Sequence, residues 1–250
     1  MSTTGDSETL CCGINVVKEA LLANRPMESI YLVEGRVHPR LQEILALARE
    51  RGITVHRVPR RALDRMAEQH QGVVARLLPM PLVSADEMLS LAGERGEKPF
   101  LLAVEGIQDP RNLGALIRTA AIAGVHGLLL PSRRAAPLSS AAIKSSAGGV
   151  FSLPIGRVSN LNNELRSLKE KGIWVVGTAK DGETPLFSSD LTMPLVLVVG
   201  SEEKGISPSL RRLCDLVVSI PQRGSLNSLN LSVAGGIVIY EVARQRGWWE

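Results

Sequence analysis

Aromatic side chains make up only 3% of this 250-residue sequence. So small a supply leaves little for bases to stack on, which argues against a single-strand binding platform built from rings. No run of eighteen or more apolar residues occurs, so no segment has the length of a membrane-spanning helix. Cysteine is scarce as well: Cys11 and Cys12 are adjacent, a poor geometry for bridging each other, and Cys214 stands alone. His38, His56, His70 and His126 are scattered, and no Cys-x-x-Cys occurs, so neither a metal site nor a structural disulfide is expected. The Gly-x-Gly-x-x-Gly fingerprint, the Gly-x-x-x-x-Gly-Lys-Ser/Thr loop and the Gly-x-Ser-x-Gly elbow are all missing. Their absence argues against dinucleotide enzymes, P-loop NTPases and α/β-hydrolases. Met1 to Leu10 is polar, carries Asp6 and Glu8, and has no basic stretch leading into an apolar core. No secretory signal is therefore expected, and the chain reads as cytoplasmic.

What is present is a modest basic excess, net +4, concentrated in arginine pairs such as Arg60-Arg61, Arg133-Arg134 and Arg211-Arg212. It favours an anionic partner, although solvated helix faces give the same composition. If that partner is RNA, phosphate and shape contacts should dominate. Hydrophobic periodicity over 13–78 alternates helix and strand. Helices fall at Gly13–Ala23, Arg40–Glu50 and Arg60–Ala67, and strands at Ser29–Val33, Ile53–Val58 and Val73–Leu77. Residues 79–99, with Pro79, Pro81, Gly93 and Gly96 around one short helical piece, read as a linker. Beyond it, strands are expected at Phe100–Val104, Gly127–Leu130, 153–157, 173–177, 195–199 and 216–220. Helices are expected at Leu113–Ala123, about 139–147, 161–171, 207–213 and 228–246. This alternation predicts an α/β fold with a mostly parallel sheet covered on both faces.

Three segments of the second unit carry chemistry. In Asp109-Pro110-Arg111-Asn112-Leu113-Gly114, Asn112 is placed to cap a helix starting at Leu113. Arg118 falls just off the stripe Leu113, Leu116, Ile117, Ala120, where it can reach a cleft or simply sit in solvent. The apolar strand at Leu197–Val199 ends in Gly200-Ser201-Glu202-Glu203-Lys204-Gly205, a glycine-bearing turn at the usual ligand side of an open α/β sheet. The stretch Ile220 to Tyr240 passes from a strand end through Ser228 and Asn230 into a glycine-bearing helix. A turn so rich in small donors and accessible backbone permits close approach to a ligand.

In this order and spacing the three segments resemble the SpoU (TrmH) family of RNA ribose methyltransferases in the SPOUT superfamily. The stretches Ala135–Ser140 and Lys144–Gly148 are also similar to it. Gly13–Leu21 and His70–Ala75 look like an L30e-like RNA-binding unit, an arrangement similar to the 23S rRNA guanosine-2′-O-methyltransferase (RlmB-like) subfamily. One departure is Phe151, where many relatives carry an acidic residue. The resemblance implies an L30e-like unit at 1–78, the linker at 79–99 and a catalytic SPOUT unit at 100–250. It also implies a C-terminal trefoil knot, which sequence physics would not select because true knots are nearly absent from proteins. A homodimer is implied too, with the last helix and the first-motif helix at its interface.

The implied cofactor is S-adenosylmethionine, bound through Gly200, Ile220 and Leu229. The implied catalytic set is Arg118 with Asn112, Glu202, Ser228 and Asn230. The family's reading makes the arginine matching Arg118 a general base. Because arginine stays protonated in almost any protein, stabilising charge and orienting phosphate suit it better. Asn230 would hydrogen-bond either Arg118 or the substrate. Arg57, Arg60, Arg61, Arg65 and Arg111 are the candidate RNA contacts. The expected substrate is a guanosine ribose of 23S rRNA. The alternatives are a tRNA ribose methyltransferase of the same fold and a non-catalytic RNA-binding module.

Overall fold

Short apolar strands alternating with amphipathic helices build two sheets among the described residues. The structure, a computed structural model, describes residues 9–35, 38–133, 135–201, 205–224 and 228–248. The first unit runs β1 (Thr9–Cys12), α1 (Ile14–Leu22), β2 (Met27–Val33), α2 (Pro39–Glu50), β3 (Val55–Val58), α3 (Arg60–Met66) and β4 (Val73–Leu77). Its sheet order is β1-β4-β2-β3, with β4 antiparallel to both neighbours and β2 parallel to β3. Strand β1 is an addition to the sequence expectation, which began the unit at Gly13.

Residues 79–99, expected to be a linker, hold α4 (Ala85–Glu94). A capping box starts it: Glu87 N–H donates to Ser84 Oγ at 3.2 Å, and Ser84 N–H donates to Glu87 Oε2 at 2.7 Å. Its Met88 is fully buried against Leu101, Ala103 and Leu129, so this helix belongs to the core of the larger sheet.

The second unit continues with β5 (Phe100–Val104), α5 (Pro110–Ile122), β6 (Gly127–Pro131), α6 (Ser140–Ser145) and β7 (Ile155–Val158). It ends with α7 (Leu161–Glu170), β8 (Trp174–Thr178), β9 (Thr184–Pro185), β10 (Leu195–Val199), α8 (Pro208–Arg211), β11 (Leu216–Ser219) and α9 (Leu231–Gln245). The order is β7-β6-β5-β10-β8-β11-β9, and every ladder is parallel. Two late strands are inserted between earlier ones, β10 between β5 and β8, and β11 between β8 and β9.

Strands β5 and β10 are buried at every residue, as a parallel sheet covered on both faces requires. Phe100, Leu102 and Val104 pack with residues of α5, α6 and α9, whereas Leu101 and Ala103 pack with α4, α7 and α8. The first of these clusters also contains Val16, Val17, Ile30 and Ala75, so one apolar core runs from the small unit into the large one. At the junction Lys144 Nζ donates to Gln69 Oε1. A Cβ at Gly148 would lie 2.4 Å from that of Glu19, so no larger side chain fits there. Phe151 is buried in this core, which accounts physically for an apolar residue at that position.

Two features of the core are sensitive to change, the close approach at Gly114 and the buried imidazole of His126. A Cβ at Gly114 would sit 2.4 Å from the Ala142 carbonyl oxygen and 2.6 Å from Ser145 Cβ. Gly114→Ala should therefore force α5 from α6 and cost about 1–3 kcal/mol, measurable by denaturant unfolding. His126, 1% exposed, accepts from Phe100 N–H through Nδ1 at 3.1 Å, and its Nε2–H donates to Glu97 at 2.9 Å. Burial lowers its pKa from the ordinary 6.5, against an opposing pull from Glu97. The unfolded chain thus takes up a proton at a pH where the native site still refuses it. Stability should decline as pH falls through 6.5, and His126→Asn should flatten that part of the unfolding profile.

Candidate functional site

Helix α5 begins with Asp109, whose side chain accepts from Arg111 N–H at 2.8 Å, followed by Pro110 in the first turn. Asp109 is therefore the cap and Asn112 is not: Asn112 lies inside the first turn, so its amide is released for other contacts. Pro at the first helical position loses no hydrogen bond and is pre-set for the helix, which moves the start upstream of Leu113. Asn112 Oδ1 accepts from Asn230 Nδ2 at 3.1 Å, across 118 residues of sequence. Asn230 is the true N-cap of α9. Its Oδ1 accepts from Ser232 N–H at 3.0 Å, Ser232 Oγ–H at 2.6 Å and Val233 N–H at 3.4 Å. Three donors on one oxygen fix the orientation of that amide and aim its Nδ2 at Asn112. Of the two partners expected for Asn230, Arg118 is thus replaced by Asn112.

A crevice of about 300 Å³ opens at the carboxyl ends of β8, β10 and β11. Gly200, Ile220, Ser228 and Leu229 all line it, which brings three expected cofactor residues and one expected catalytic residue to one place. At Gly200 an added Cβ would lie 2.0 Å from the Gly205 carbonyl carbon, so only glycine lets the two backbones pass. Ser201 and Gly205 close this loop by exchanging hydrogen bonds of 3.0 and 2.9 Å. Glu202 lies outside the described residues. On the opposite rim Asp181 accepts from Arg211 Nη1 at 2.8 Å, which holds the Asp181 carboxyl below the ordinary carboxylate range. The sequence reading missed the rim segment Thr178–Asp181. The rule that ligands sit beyond the carboxyl ends of parallel strands would have found it at the end of β8.

The arginines divide. Arg118 is exposed on α5 and makes no hydrogen bond or ion pair among the described residues. Arg65 and Arg111 line a single cleft of about 1330 Å³ between α3 and α6. Arg60 lines an adjoining cavity of about 460 Å³. Arg57 and Arg61 line neither, and Arg57 instead donates to the Val33 carbonyl at 3.2 Å along the sheet edge. Lys144, the first residue of the family-like stretch Lys144–Gly148, and Arg157 share the larger cleft, and neither was named as an RNA contact because nothing local marks them as neighbours of α3.

No helix among the described residues is long and apolar enough to cross a membrane. Residues 99–240 match the model of the SpoU rRNA Methylase family, and residues 10–81 match that of an RNA 2′-O ribose methyltransferase substrate-binding domain. A TrmH family tRNA/rRNA methyltransferase of Bacillus subtilis is 40% identical over 94% of this chain and 94% of its own. The SpoU methyltransferase AviRb from Streptomyces viridochromogenes, solved with AdoMet, superposes with a TM-score of 0.82 at 28% identity. The match covers 96% of this chain and 90% of that one. An AdoMet-bound rRNA methyltransferase from Sinorhizobium meliloti gives a TM-score of 0.78 at 27% identity, covering 95% of this chain and 87% of its own. With its motifs, its parallel sheet and both family models in agreement, the chain belongs to the SpoU rRNA Methylase family.

Proposed function

We propose that this RNA methyltransferase moves a methyl group from S-adenosylmethionine to the ribose 2′-hydroxyl of a guanosine in 23S rRNA. The observation that carries the reading is the Asn112–Asn230 hydrogen bond, which joins the helix bearing Arg118 to the rim of the crevice. The crevice suits a nucleoside-bearing cofactor. Its volume falls at the small end of the roughly 300–1,000 Å³ usual for such ligands. Ile206, Ile220, Leu229 and Leu231 give it apolar wall, while Thr178, Asp181 and Gln222 give polar groups for ribose and amino-acid moieties. Gly200 lets the main chain at Gly205 and Ile206 fold against it, which shapes this end of the crevice. When bound, S-adenosylmethionine supplies an electrophilic sulfonium methyl.

The chain's own residues would act on the RNA side. A ribose hydroxyl is a poor nucleophile until negative charge on its oxygen is stabilised. Arg118 would hold that charge and the neighbouring phosphate through its guanidinium, while the hydroxyl proton passes to water. Asn112, fixed by Asn230, would orient the ribose, with Ser228 and Glu202 completing the rim. Gly200, Ile220 and Leu229 would hold the cofactor. Residues 1–78 would bind RNA with help from Arg57, Arg60, Arg61, Arg65 and Arg111, residues 79–99 would join the units, and 100–250 would carry catalysis. Insertion of β10 and β11 between earlier strands supports a C-terminal trefoil knot. Exposed Ile122 on α5, with Val233 and Tyr240 on α9, supports a homodimer closed through those helices.

Labelled S-adenosylmethionine incubated with unmodified 23S rRNA and, separately, tRNA tests the substrate. Labelled 2′-O-methylguanosine from rRNA alone is expected, and label in tRNA alone would move the substrate and keep the chemistry. Arg118→Ala should lower kcat by about 10²–10³-fold, as loss of a charge-stabilising donor does, and leave S-adenosylmethionine affinity unchanged by calorimetry. Asn230→Ala should cost about 1 kcal/mol of stability through the lost cap and also slow turnover. Because Asn112 and Asn230 act through one bond, the double alanine variant should lose little more kcat than either single variant.

A further inference from the structure

We infer that the cleft between the two units is the track along which the RNA backbone reaches the Asn112–Asn230 pair, with phosphate contacts on both walls. The inference rests on the proposed RNA methyltransferase reading and assigns it a binding surface. At about 1330 Å³ the cleft exceeds the roughly 300–1,000 Å³ of small-molecule sites. It therefore suits a length of polymer better than a metabolite.

Its cations come from four separate elements: Arg65 on α3, Arg111 at the start of α5, Lys144 on α6 and Arg157 on β7. Two carboxylates face them. Asp64 is engaged by His70 Nε2–H at 2.9 Å, and Glu68 is exposed, so the balance stays positive. Among the described residues no aromatic ring lines the cleft, which leaves phosphate and sugar contacts as the available mode of recognition.

The path is continuous with the candidate active site. Arg111 lines the cleft, its carbonyl accepts from Ser145 Oγ–H at 2.8 Å, and the next residue is Asn112. Asn230, its partner, follows directly on Ser228 and Leu229 of the crevice. The loop between the cleft and its adjoining cavity is also held in a costly backbone form. Gln69 and Gln71 both have φ of +53°, outside the usual range for side chains larger than glycine. Such strain persists where surrounding contacts over-determine it. Here Gln71 Oε1 accepts from Ile14 N–H at 3.0 Å, His70 Nδ1 accepts from Gly72 N–H at 2.9 Å, and Lys144 donates to Gln69 from the far wall.

The test measures binding of the full chain to an unmodified single-stranded oligoribonucleotide by anisotropy across a salt series. Arg65→Gln/Arg157→Gln, one cation from each wall, should weaken binding and reduce the slope of log K on log salt by roughly 0.7 for each lost phosphate contact. Lys144→Gln should do the same by one contact. Arg166→Gln removes one charge, as Lys144→Gln does, from the exposed face of α7, where Arg166 bonds Asn163 alone among the described residues, and should leave affinity and slope unchanged. Unfolding midpoints and S-adenosylmethionine binding check that each variant is folded. Folded cleft variants with wild-type slope, in a protein that methylates RNA, would overturn the cleft alone. Cleft variants that show the expected slope changes, in a protein that binds RNA yet transfers no methyl, would overturn the catalytic reading and leave the track standing.

Discussion

Everything proposed for this site depends on how closely other elements approach α5. Three glycines permit it. Gly114 lets α6 pack against the helix's first half, Gly235 admits Leu116 into α9, and Gly149 lies against the backbone at Arg118. A Cβ at Gly235 would meet Leu116 Cδ1 at 2.6 Å, and one at Gly149 would meet Arg118 Cα at 3.2 Å. With backbone so near on three sides, α5 has little freedom to rotate or slide in a close-packed interior. Asn112 and Arg118 inherit that fixity, which a loop could not give them.

The two polar links at the site follow from this packing. Approach of α9 to α5 puts Asn230 beside Asn112, and the cap on α9 settles which amide atom faces across. The same residue thus ends a chain segment, starts a helix and joins two motifs far apart in sequence. Asparagine serves there because one side chain must accept from the α9 backbone and donate to α5. Serine would cap α9 equally well, but the one oxygen of its shorter side chain would have to serve both contacts.

Much of the fold was legible because buried parallel strands are continuous apolar runs, and β5 and β10 match the expected Phe100–Val104 and 195–199. Errors gathered where a local signal had a competitor. Asn112 looks like a cap beside an apolar stripe, but Asp109 followed by Pro110 starts the helix a turn earlier. Strand β1 was missed because four residues carry no period, and its pairing with β4 is set by tertiary contact. Residues 79–99 look like a linker by their prolines and glycines, yet Ser84 and Glu87 form a capping box and Met88 completes the core. Convergence of Gly200, Ile220, Ser228 and Leu229 followed from the resemblance, which encodes a topology that no periodicity contains. The partnership of Arg65 with Lys144 and Arg157 had no sequence signal at all, since it depends on how the two units dock.

Exposure of Arg118 bears on how the proposed chemistry would work. Two unit charges 4 Å apart interact by about 1 kcal/mol in bulk water and about 4 kcal/mol at an effective dielectric near 20. A guanidinium open to solvent therefore stabilises a developing oxyanion weakly until water is excluded around it. In the chain by itself, nothing among the described residues covers Arg118, while its own helix presents exposed Ile122 and the adjoining α9 presents Val233 and Tyr240. On the proposed reading, a second copy closing over those side chains and RNA filling the cleft would lower the local dielectric together. Catalytic power would then depend on assembly: the guanidinium is already placed by α5, and the partner and substrate would contribute the removal of solvent that makes its charge effective.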